Sequence, residues 1–365
     1  MNVLDLDTVS IDLEKNAVVI IDQTKLPNEV VTKNLRSPKE IWEAIYKLEV
    51  RGAPAIGVSA AFGMYVIAKD LSRDYLEDED GFFKAFRENS DYLNSSRPTA
   101  VNLSWALKRM STVLENHRGE SRELQVEALK TEALAIRDED VWVCRRIGEH
   151  GVTLIKDGDG ILTHCNAGKL ATVRYGTATS PIYVAQEKGW HLRVYCDETR
   201  PLLQGARLTA FELFESGVDT TLLCDNMSSA LMKEGKVNAI FVGCDRVAAN
   251  GDTANKIGTS VVAAVAKQYG IPMYIAAPTS TIDMECETGA DIVIEQRDSK
   301  EVTHMWYEKP MAPEGIKVYN PAFDVTDHSL IAGIVTEYGI AKAPYTSSLK
   351  EIFKIKNSQE KNWEF

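Results

Sequence analysis

The sequence has little of what marks a metal centre or a nucleotide site. None of its six cysteines (144, 165, 196, 224, 244 and 286) forms a C-x-x-C pair, and its six histidines fall singly, without H-x-H or H-E-x-x-H spacing. The close ligand pair that most zinc sites contain is therefore missing, and no metal ligand is assigned. A disulfide framework is not expected in a reducing compartment. Cysteines 144, 196, 224 and 286 read as small packed hydrophobes. Because 165, 196, 224 and 244 fall at or near strand ends, a metal-binding cysteine cluster stays open as an alternative. No G-x-G-x-x-G follows a strand, and no G-x-x-x-x-G-K-[ST] occurs, so the standard nucleotide fingerprints are absent. No apolar stretch approaches the roughly 20 residues of a membrane span. The first seven residues, Met1 to Asp7, lack the basic and apolar regions of a signal peptide, which makes a cytoplasmic location the expectation. Positive charge is also scarce. With 41 Lys+Arg against 53 Asp+Glu, the net charge is −12, which argues against nucleic acid or an anionic membrane as partner. A local cationic pocket for a phosphate remains compatible with that total.

What is present is ordinary globular material: 365 residues, 44% hydrophobic and 26% charged, enough for two domains. The informative pattern is a set of short apolar runs that each open into a polar loop. Gly160 to Thr163 leads into His164-Cys165-Asn166-Ala167-Gly168. Ala239 to Val242 leads into Gly243-Cys244-Asp245-Arg246. Leu192 to Cys196, Thr220 to Cys224 and Ile271 to Ala277 behave alike, with helix-length amphipathic stretches between them, such as Gln204 to Ser216 and Ile257 to Gln268. Strands alternating with helices predict an α/β chain whose C-terminal part is a Rossmann-like parallel sheet flanked by helices. Ligands of such sheets collect outside the carboxyl ends of the strands.

The texture before that region is different. After one strand-like run, Ala17 to Asp22, helical patterns dominate at 37–48, 57–69, 81–93 and 100–115, with Ser37 and Pro38 as a helix start. The expected division is a smaller, mainly helical N-terminal domain over 1–120 and a helical bridge over 121–156, broken near Gly148 and Gly151. A catalytic domain over 157–345 and a charged, peripheral tail over 346–365 follow.

Several loops carry chemistry. Arg51-Gly52-Ala53 stands before a helix, where glycine admits an anion to backbone N–H groups; a tight packed turn explains the same residues. Asn94 to Thr99 offers Arg97 beside two serines, suited to phosphate but also to a plain helix entry. Gln204 opens a helix after a strand and suits sugar hydroxyls, or faces water. Asn250 to Thr259 supplies Asn255 and Lys256; a lysine near a helix N-terminus opposes the dipole and calls for a compensating anion. Cys165 reads as nucleophile, base or buried bystander. Its neighbour His164 is directed to the other side of the strand by alternation. The carboxyl of Asp245, flanked by apolar residues, is expected to be buried and its pKa raised.

Taken in order, RGAPAIG at 51–57, SSRPTAVNLSWAL at 95–107, THCNAG at 163–168 and ETRPLLQGARLTAFEL at 198–213 carry a resemblance over nearly the whole chain. DNMSSALM at 225–232, GCDRVAANGDTANKIGT at 243–259, APTSTID at 277–283 and NPAFDVT at 320–326 continue it. The sequence resembles the methylthioribose-1-phosphate isomerases. Their superfamily also holds ribose-1,5-bisphosphate isomerases, 5-deoxyribose-1-phosphate isomerases and regulatory subunits of the translation-initiation guanine-nucleotide exchange factor. The resemblance implies Cys165 and Asp245 as catalytic residues. It implies Arg51, Gly52, Ala53, Arg97, Gln204, Asn255 and Lys256 as substrate-binding residues, with a small phosphorylated sugar as partner, no cofactor and a homodimer. Two positions depart from the pattern: Cys244 replaces a usual alanine, and Lys169 a usual small residue.

The implied reaction turns 5-methylthioribose 1-phosphate into 5-methylthioribulose 1-phosphate, a step of methionine salvage. The phosphate on C1 blocks spontaneous ring opening, so the ring oxygen must be protonated before hydrogen moves from C2 to C1. Asp245 suits the first task and Cys165 the second, by an enediol or by shaping a hydride shift. The alternatives are a 5-deoxyribose-1-phosphate or ribose-1,5-bisphosphate isomerase, or a noncatalytic regulatory subunit, which is not expected to keep the Cys165–Asp245 pair.

Overall fold

Residues 6–98 and 100–360 are described by the structure, a computed structural model. Residues 1–5 of the leader argument, Thr99 of the second arginine loop and residues 361–365 of the expected tail lie outside them. The chain divides into two compact units. One comprises the residues up to Trp142 together with Lys169–Gly176; the other comprises Val143–Gly168 and the residues from Thr177 onward.

In the first unit, β1 (Val9–Asp12), β2 (Ala17–Ile21) and β3 (Thr32–Leu35) form an antiparallel sheet in which Val18 lies between Ile11 and Leu35. Helices α1 (Pro38–Tyr46), α2 (Ala53–Asp74), α3 (Glu79–Asn94), α4 (Val101–Asn116) and the start of α5 (Arg122–Gly151) complete it. Their shared core includes Ile41, Ile45, Phe62, Phe82, Phe86, Leu103 and Met110. Ser37 and Glu40 form a capping box at α1, with Pro38 in its first turn, as the sequence suggests. Against the expectation that no stretch is long enough, α2 spans 22 residues and is apolar enough by length and composition to cross a membrane. Every residue from Ala55 to Ala68 is buried in this core. A helix that is apolar on all sides sits at the centre of its unit, which is why the sequence shows no amphipathic stripe there.

The second unit is built on β4 (Gly160–Thr163), α6 (Ser180–Glu187), β5 (Arg193–Asp197), α7 (Ala210–Glu215), β6 (Asp219–Leu223), α8 (Ser228–Lys233) and β7 (Ala239–Val242). It continues with β8 (Arg246–Ala248), β9 (Thr253–Lys256), α9 (Thr259–Tyr269), β10 (Met273–Ala276), β11 (Ile282–Asp283), α10 (Lys300–Thr303), β12 (Phe323–Thr326), β13 (Gly333–Thr336), β14 (Gly339–Ala341) and α11 (Tyr345–Glu360). Seven strands make one sheet in the order β14-β13-β10-β7-β4-β5-β6, all parallel except β14 at the edge. From β4 the chain winds outward through β5 and β6, then returns to start β7 on the other side of β4. The central strands β4 and β7 are buried along their whole length, which accounts for their unbroken apolar runs. A second sheet, ordered β11-β8-β9-β12, grows from the loops beyond β7 and β10.

Three further expectations are corrected. α5 runs unbroken through Gly148, because a Cβ there would lie 2.2 Å from Ser180 Oγ and 2.7 Å from Val184 Cγ2; this glycine serves close packing against α6 rather than a helix break. Residues 121–156 form no separate bridge, since the division between units falls at Trp142 and Val143, inside α5. Among the described residues, the expected tail is not peripheral: Leu349 and Ile352 of α11, with Tyr345 at its start, are buried in the core of the second unit. Their 4- and 3-residue spacing was the available signal, masked by the surrounding charge. Leu349→Ala should therefore lower unfolding free energy by about 2–5 kcal/mol. Chemical denaturation tests this, and a change within error would return the segment to the surface.

Candidate active site

In the first unit, Gly52 starts α2 with φ +92, and a Cβ there would fall 2.4 Å from the Ala171 carbonyl oxygen. Only glycine fits both constraints. Arg51 donates from Nε to Gln23 Oε1 at 3.3 Å, and Gln23 Nε2 donates in turn to the Leu170 carbonyl at 2.7 Å. Arg97 lies in the turn before α4, whose first turn adjoins α2: a Cβ on Gly57 would stand 3.1 Å from the Asn102 carbonyl. The Arg51–Ala53 turn and Arg97 thus occupy the same end of a helix pair. Both helices begin without a side-chain cap and without an acidic residue in the first turn. α1 and α3, by contrast, are capped by Ser37 and Asp78. Two uncapped N-termini with two arginines make an anion-favouring corner.

In the second unit, Cys165 and Asp245 follow the carboxyl ends of β4 and β7, which are hydrogen-bonded neighbours. The two loops press together, since a Cβ on Gly243 would come within 2.4 Å of Ala167 Cβ. Asp245 donates its backbone N–H to the Ala254 carbonyl at 2.9 Å, which sets Asn255 and Lys256 beside it. These two residues lie on strand β9, not in an open loop as the sequence suggests. Asn255 is buried and donates to Thr259 Oγ1 at 3.0 Å. Gln204, at the end of the β5 loop, is 7% exposed, and its Oε1 accepts no hydrogen bond. A buried acceptor without a donor is costly, and a ligand hydroxyl is the group that would satisfy it.

Sequence reasoning missed what stands around Cys165. Cys165 has φ +65 and Thr199 has φ +66, conformations that cost on the order of 1–3 kcal/mol each for residues with a Cβ. Cys165 N–H donates to Thr199 Oγ1 at 2.8 Å, and Thr209 Oγ1 donates to the Cys165 carbonyl at 2.6 Å. Asn166 Nδ2 donates to Thr209 Oγ1 and to the fully buried carboxylate of Glu212. Gly168 leaves room for that carboxylate, because a Cβ would meet Glu212 Oε1 at 1.9 Å. Burial, together with the Glu212 charge, pushes the Tyr183 phenol well above its ordinary range. His164 is 1% exposed and committed at both nitrogens, Nδ1 to Asp197 Oδ2 at 3.0 Å and Nε2 to the Ile257 carbonyl at 2.8 Å. Burial opposes protonation of this ring, but the Asp197 hydrogen bond and charge outweigh it and raise its pKa. Burial likewise raises the Asp197 pKa, against the pull of His164 and Ser228. The signal for this pair is register: Thr163 pairs with Cys196, so the next residues, His164 and Asp197, meet.

Two expectations for the strand ends change. Asp245 is exposed; its apolar neighbours Phe241 and Val242 face the core while the carboxyl stands beyond the strand end. Lys256 is not balanced against the α9 dipole by a missing anion. Its Nζ donates to the Ala322 carbonyl at 3.0 Å and stands 4.5 Å from the Phe323 ring centroid, while the Asp324 carboxylate accepts from Gly258 N and Ser260 N at the helix start. Cys244 lies 3.2 Å from Thr281 Oγ1, and burial, with Asp245 adding to it, pushes its thiol up to about 12. Burial also holds the Cys196 thiol well above its ordinary value. Among the described residues, the His164–Asp197–Asp225 and Asp252–Asp327–His328 groups fall at ligand spacing. Neither includes a cysteine, and the first is consumed by its own hydrogen bonds, with Asp225 accepting from Thr199 N and Arg200 N.

The profile of the initiation factor 2 subunit family matches residues 49–343. A methylthioribose-1-phosphate isomerase of Symbiobacterium thermophilum is 60% identical over 356 residues, 98% of each chain. A 5-deoxyribose 1-phosphate isomerase of Petrotoga mobilis is 56% identical over 340 residues, 93% of this chain and 97% of that one. Among solved structures, 5-methylthioribose 1-phosphate isomerase from Pyrococcus horikoshii is similar at TM-score 0.91 and 41% identity, covering 96% of both chains. Translation initiation factor eIF-2B subunit delta from A. fulgidus is similar at TM-score 0.89 and 41% identity, covering 96% of this chain and 99% of that one. With the match spanning both units and the strand-end residues alike, the chain belongs to the initiation factor 2 subunit family.

Proposed function

We propose that this protein is an aldose–ketose isomerase that converts 5-methylthioribose 1-phosphate to 5-methylthioribulose 1-phosphate. The observation that carries it is a thiol and a carboxyl at the ends of adjoining parallel strands, in a chain 60% identical to a methylthioribose-1-phosphate isomerase. The strand order, which reverses between β4 and β7, supports reading the sheet as Rossmann-like, with its ligand at the reversal.

In this reading Asp245 protonates the ring oxygen and Cys165 manages the hydrogen that leaves C2. Arg51, Gly52, Ala53 and Arg97 bind the phosphate with the backbone N–H groups of α2. Gln204 and Asn255 take the sugar hydroxyls, and Lys256 adds positive charge. These steps transfer protons or hydride within one molecule, so they call on no redox partner. A cytoplasmic homodimer acting in methionine salvage is the setting that the family resemblance implies. The second reading, a 5-deoxyribose-1-phosphate isomerase, is favoured by the 56% identical relative of that name. The two substrates differ only at C5.

A side-by-side assay decides between them: kcat/KM should be highest for 5-methylthioribose 1-phosphate, and a higher value for 5-deoxyribose 1-phosphate transfers the assignment. Asp245→Asn should lose nearly all kcat while still binding product, because an amide fills the same space but cannot deliver a proton. Because Asp245 is exposed in the free chain, the desolvation that makes it an acid must come from bound substrate. The alkaline limb of the pH–rate profile should accordingly lie higher for kcat than for kcat/KM, and coincident limbs would remove Asp245 from the acid role. Cys244 should resist iodoacetamide at pH 8, where a thiol with a pKa of about 12 is roughly one part in ten thousand thiolate. Cys244→Ala should keep most activity; inactivity would reverse the assignment of the two thiols.

A further inference from the structure

We infer that Thr199 and Thr209 are positioning residues that clamp the Cys165 peptide in its left-handed conformation and so aim the thiol. This rests on the reading of Cys165 as the group that handles the C2 hydrogen. The two hydroxyls reach one residue from different elements. Thr199, directly beyond β5, accepts from Cys165 N–H; Thr209, directly before α7, donates to the Cys165 carbonyl. Neither bond is available to water, since Thr199 is 0% and Thr209 1% exposed.

Both threonines depart from their usual behaviour in order to do this. A threonine in a helix commonly returns its hydroxyl to the carbonyl four residues earlier. Thr209 instead ends a π-turn, Gly205–Thr209, in which Ala210 N–H bonds the Gly205 carbonyl five residues back, and its hydroxyl points away from its own helix to Cys165. Such single wide turns recur at functional sites. Asn166 Nδ2 donates to the same hydroxyl oxygen, which leaves the Thr209 proton to the Cys165 carbonyl. Thr199 is β-branched yet held at φ +66, a marked departure for that residue type. Its hydroxyl donates to the Asp197 carbonyl at 3.1 Å, and its oxygen thereby becomes the acceptor for Cys165 N–H. Loss of either bond weakens the hold on the left-handed conformation and shifts Cys165 toward extended backbone, which swings its Cβ and sulfur. The π-turn also begins immediately after Gln204, so one local distortion sets both the clamp and the unpaired Gln204 acceptor.

The test compares Thr209→Ala with Thr209→Ser in the full-length protein. Both lose the same methyl group, and only the serine keeps the hydroxyl. Thr209→Ala should lower kcat about 100-fold, the scale of a misplaced reacting group, with KM nearly unchanged, while Thr209→Ser stays within about threefold of wild type. The rate of Cys165 alkylation by iodoacetamide, read by peptide mass spectrometry, should shift in the alanine variant and not in the serine variant. Equal losses in the two would assign the effect to methyl packing and overturn the clamp, as would wild-type kcat in Thr209→Ala. If Thr209→Ala does not fold, Thr199→Ala carries the same expectation of a kcat loss at constant KM. Loss of folding in both would show that these bonds hold the domain rather than the thiol, and would also overturn the inference. Cys165→Ser separates the two levels. Turnover retained in that variant removes Cys165 itself, whereas an inactive Cys165→Ser with fully active threonine variants removes only the clamp.

Discussion

The parallel pairing of β4 with β7 is the constraint on which the second unit depends. Ile161 pairs with Ala239 and Leu162 with Ile240, so both strands deliver their following loops to the same edge of the sheet. Because β4 is where the winding direction reverses, no crossover helix connects these two strands directly, and a gap opens between the loops they feed. The gap is kept narrow by the contact of Gly243 with Ala167. A side chain at 243 would drive the Cys165 and Asp245 loops apart, which gives the glycine in the strand-end motif its physical meaning.

The buried charges gathered at that edge are expensive, and each is compensated within hydrogen-bonding distance. A neutral imidazole donates from one nitrogen only, yet His164 meets an acceptor at each. One proton held between Nδ1 and Asp197 Oδ2 lets the ring donate from Nε2 to the Ile257 carbonyl, and Ser228 donates to the other Asp197 oxygen. The pair links the ends of β4 and β5 to the turn before α9, where Gly258 passes so close to the His164 ring that a Cβ would lie 2.9 Å from it. Removing one member of such a pair leaves an uncompensated charge in the interior, a far larger loss than the pair contributes while intact. The consequence is a fixed platform: the chain just before Cys165, the end of β5 upstream of Gln204 and the chain just after Asn255 are tied to one another before any ligand arrives.

How much of this was legible follows from where each signal resides. The central strands β4 and β7 are apolar runs of four residues, so their existence and their loops could be read directly, and with them Cys165 and Asp245 as strand-end groups. The helices of the first unit showed through periodicity and caps such as Ser37–Glu40. What sequence withheld was anything fixed by pairing across the chain. His164 meeting Asp197, Thr209 reaching Cys165 across 44 positions, and Asp324 capping α9 from 64 positions away all require the register of strands that no local pattern encodes. The exposure of Asp245 was misjudged for the same reason. Apolar neighbours on a strand describe the strand's burial, and a residue three positions beyond its end no longer shares it.

The handling of helix N-termini shows how an acidic chain can favour an anion. With a net charge of −12, the long-range field repels phosphate, so attraction has to come from groups acting over a few ångströms. Most exposed helix starts could be left to carboxylates, and several are: Glu40 serves α1, Asp78 serves α3 and Asp324 serves α9. The starts of α2 and α4 carry no such group, although acidic side chains outnumber basic ones across the chain. Their N–H dipoles lie at one end of a helix pair together with Arg51 and Arg97. Each uncapped terminus contributes roughly 0.3–1 kcal/mol toward a negative group, and each arginine adds a charge-assisted hydrogen bond of about 1.5–3 kcal/mol. Within the first unit, α1 and α3 are capped and these two termini are not, which gathers positive potential at a single corner of that unit. The lack of an acidic residue in either first turn complements the two arginines.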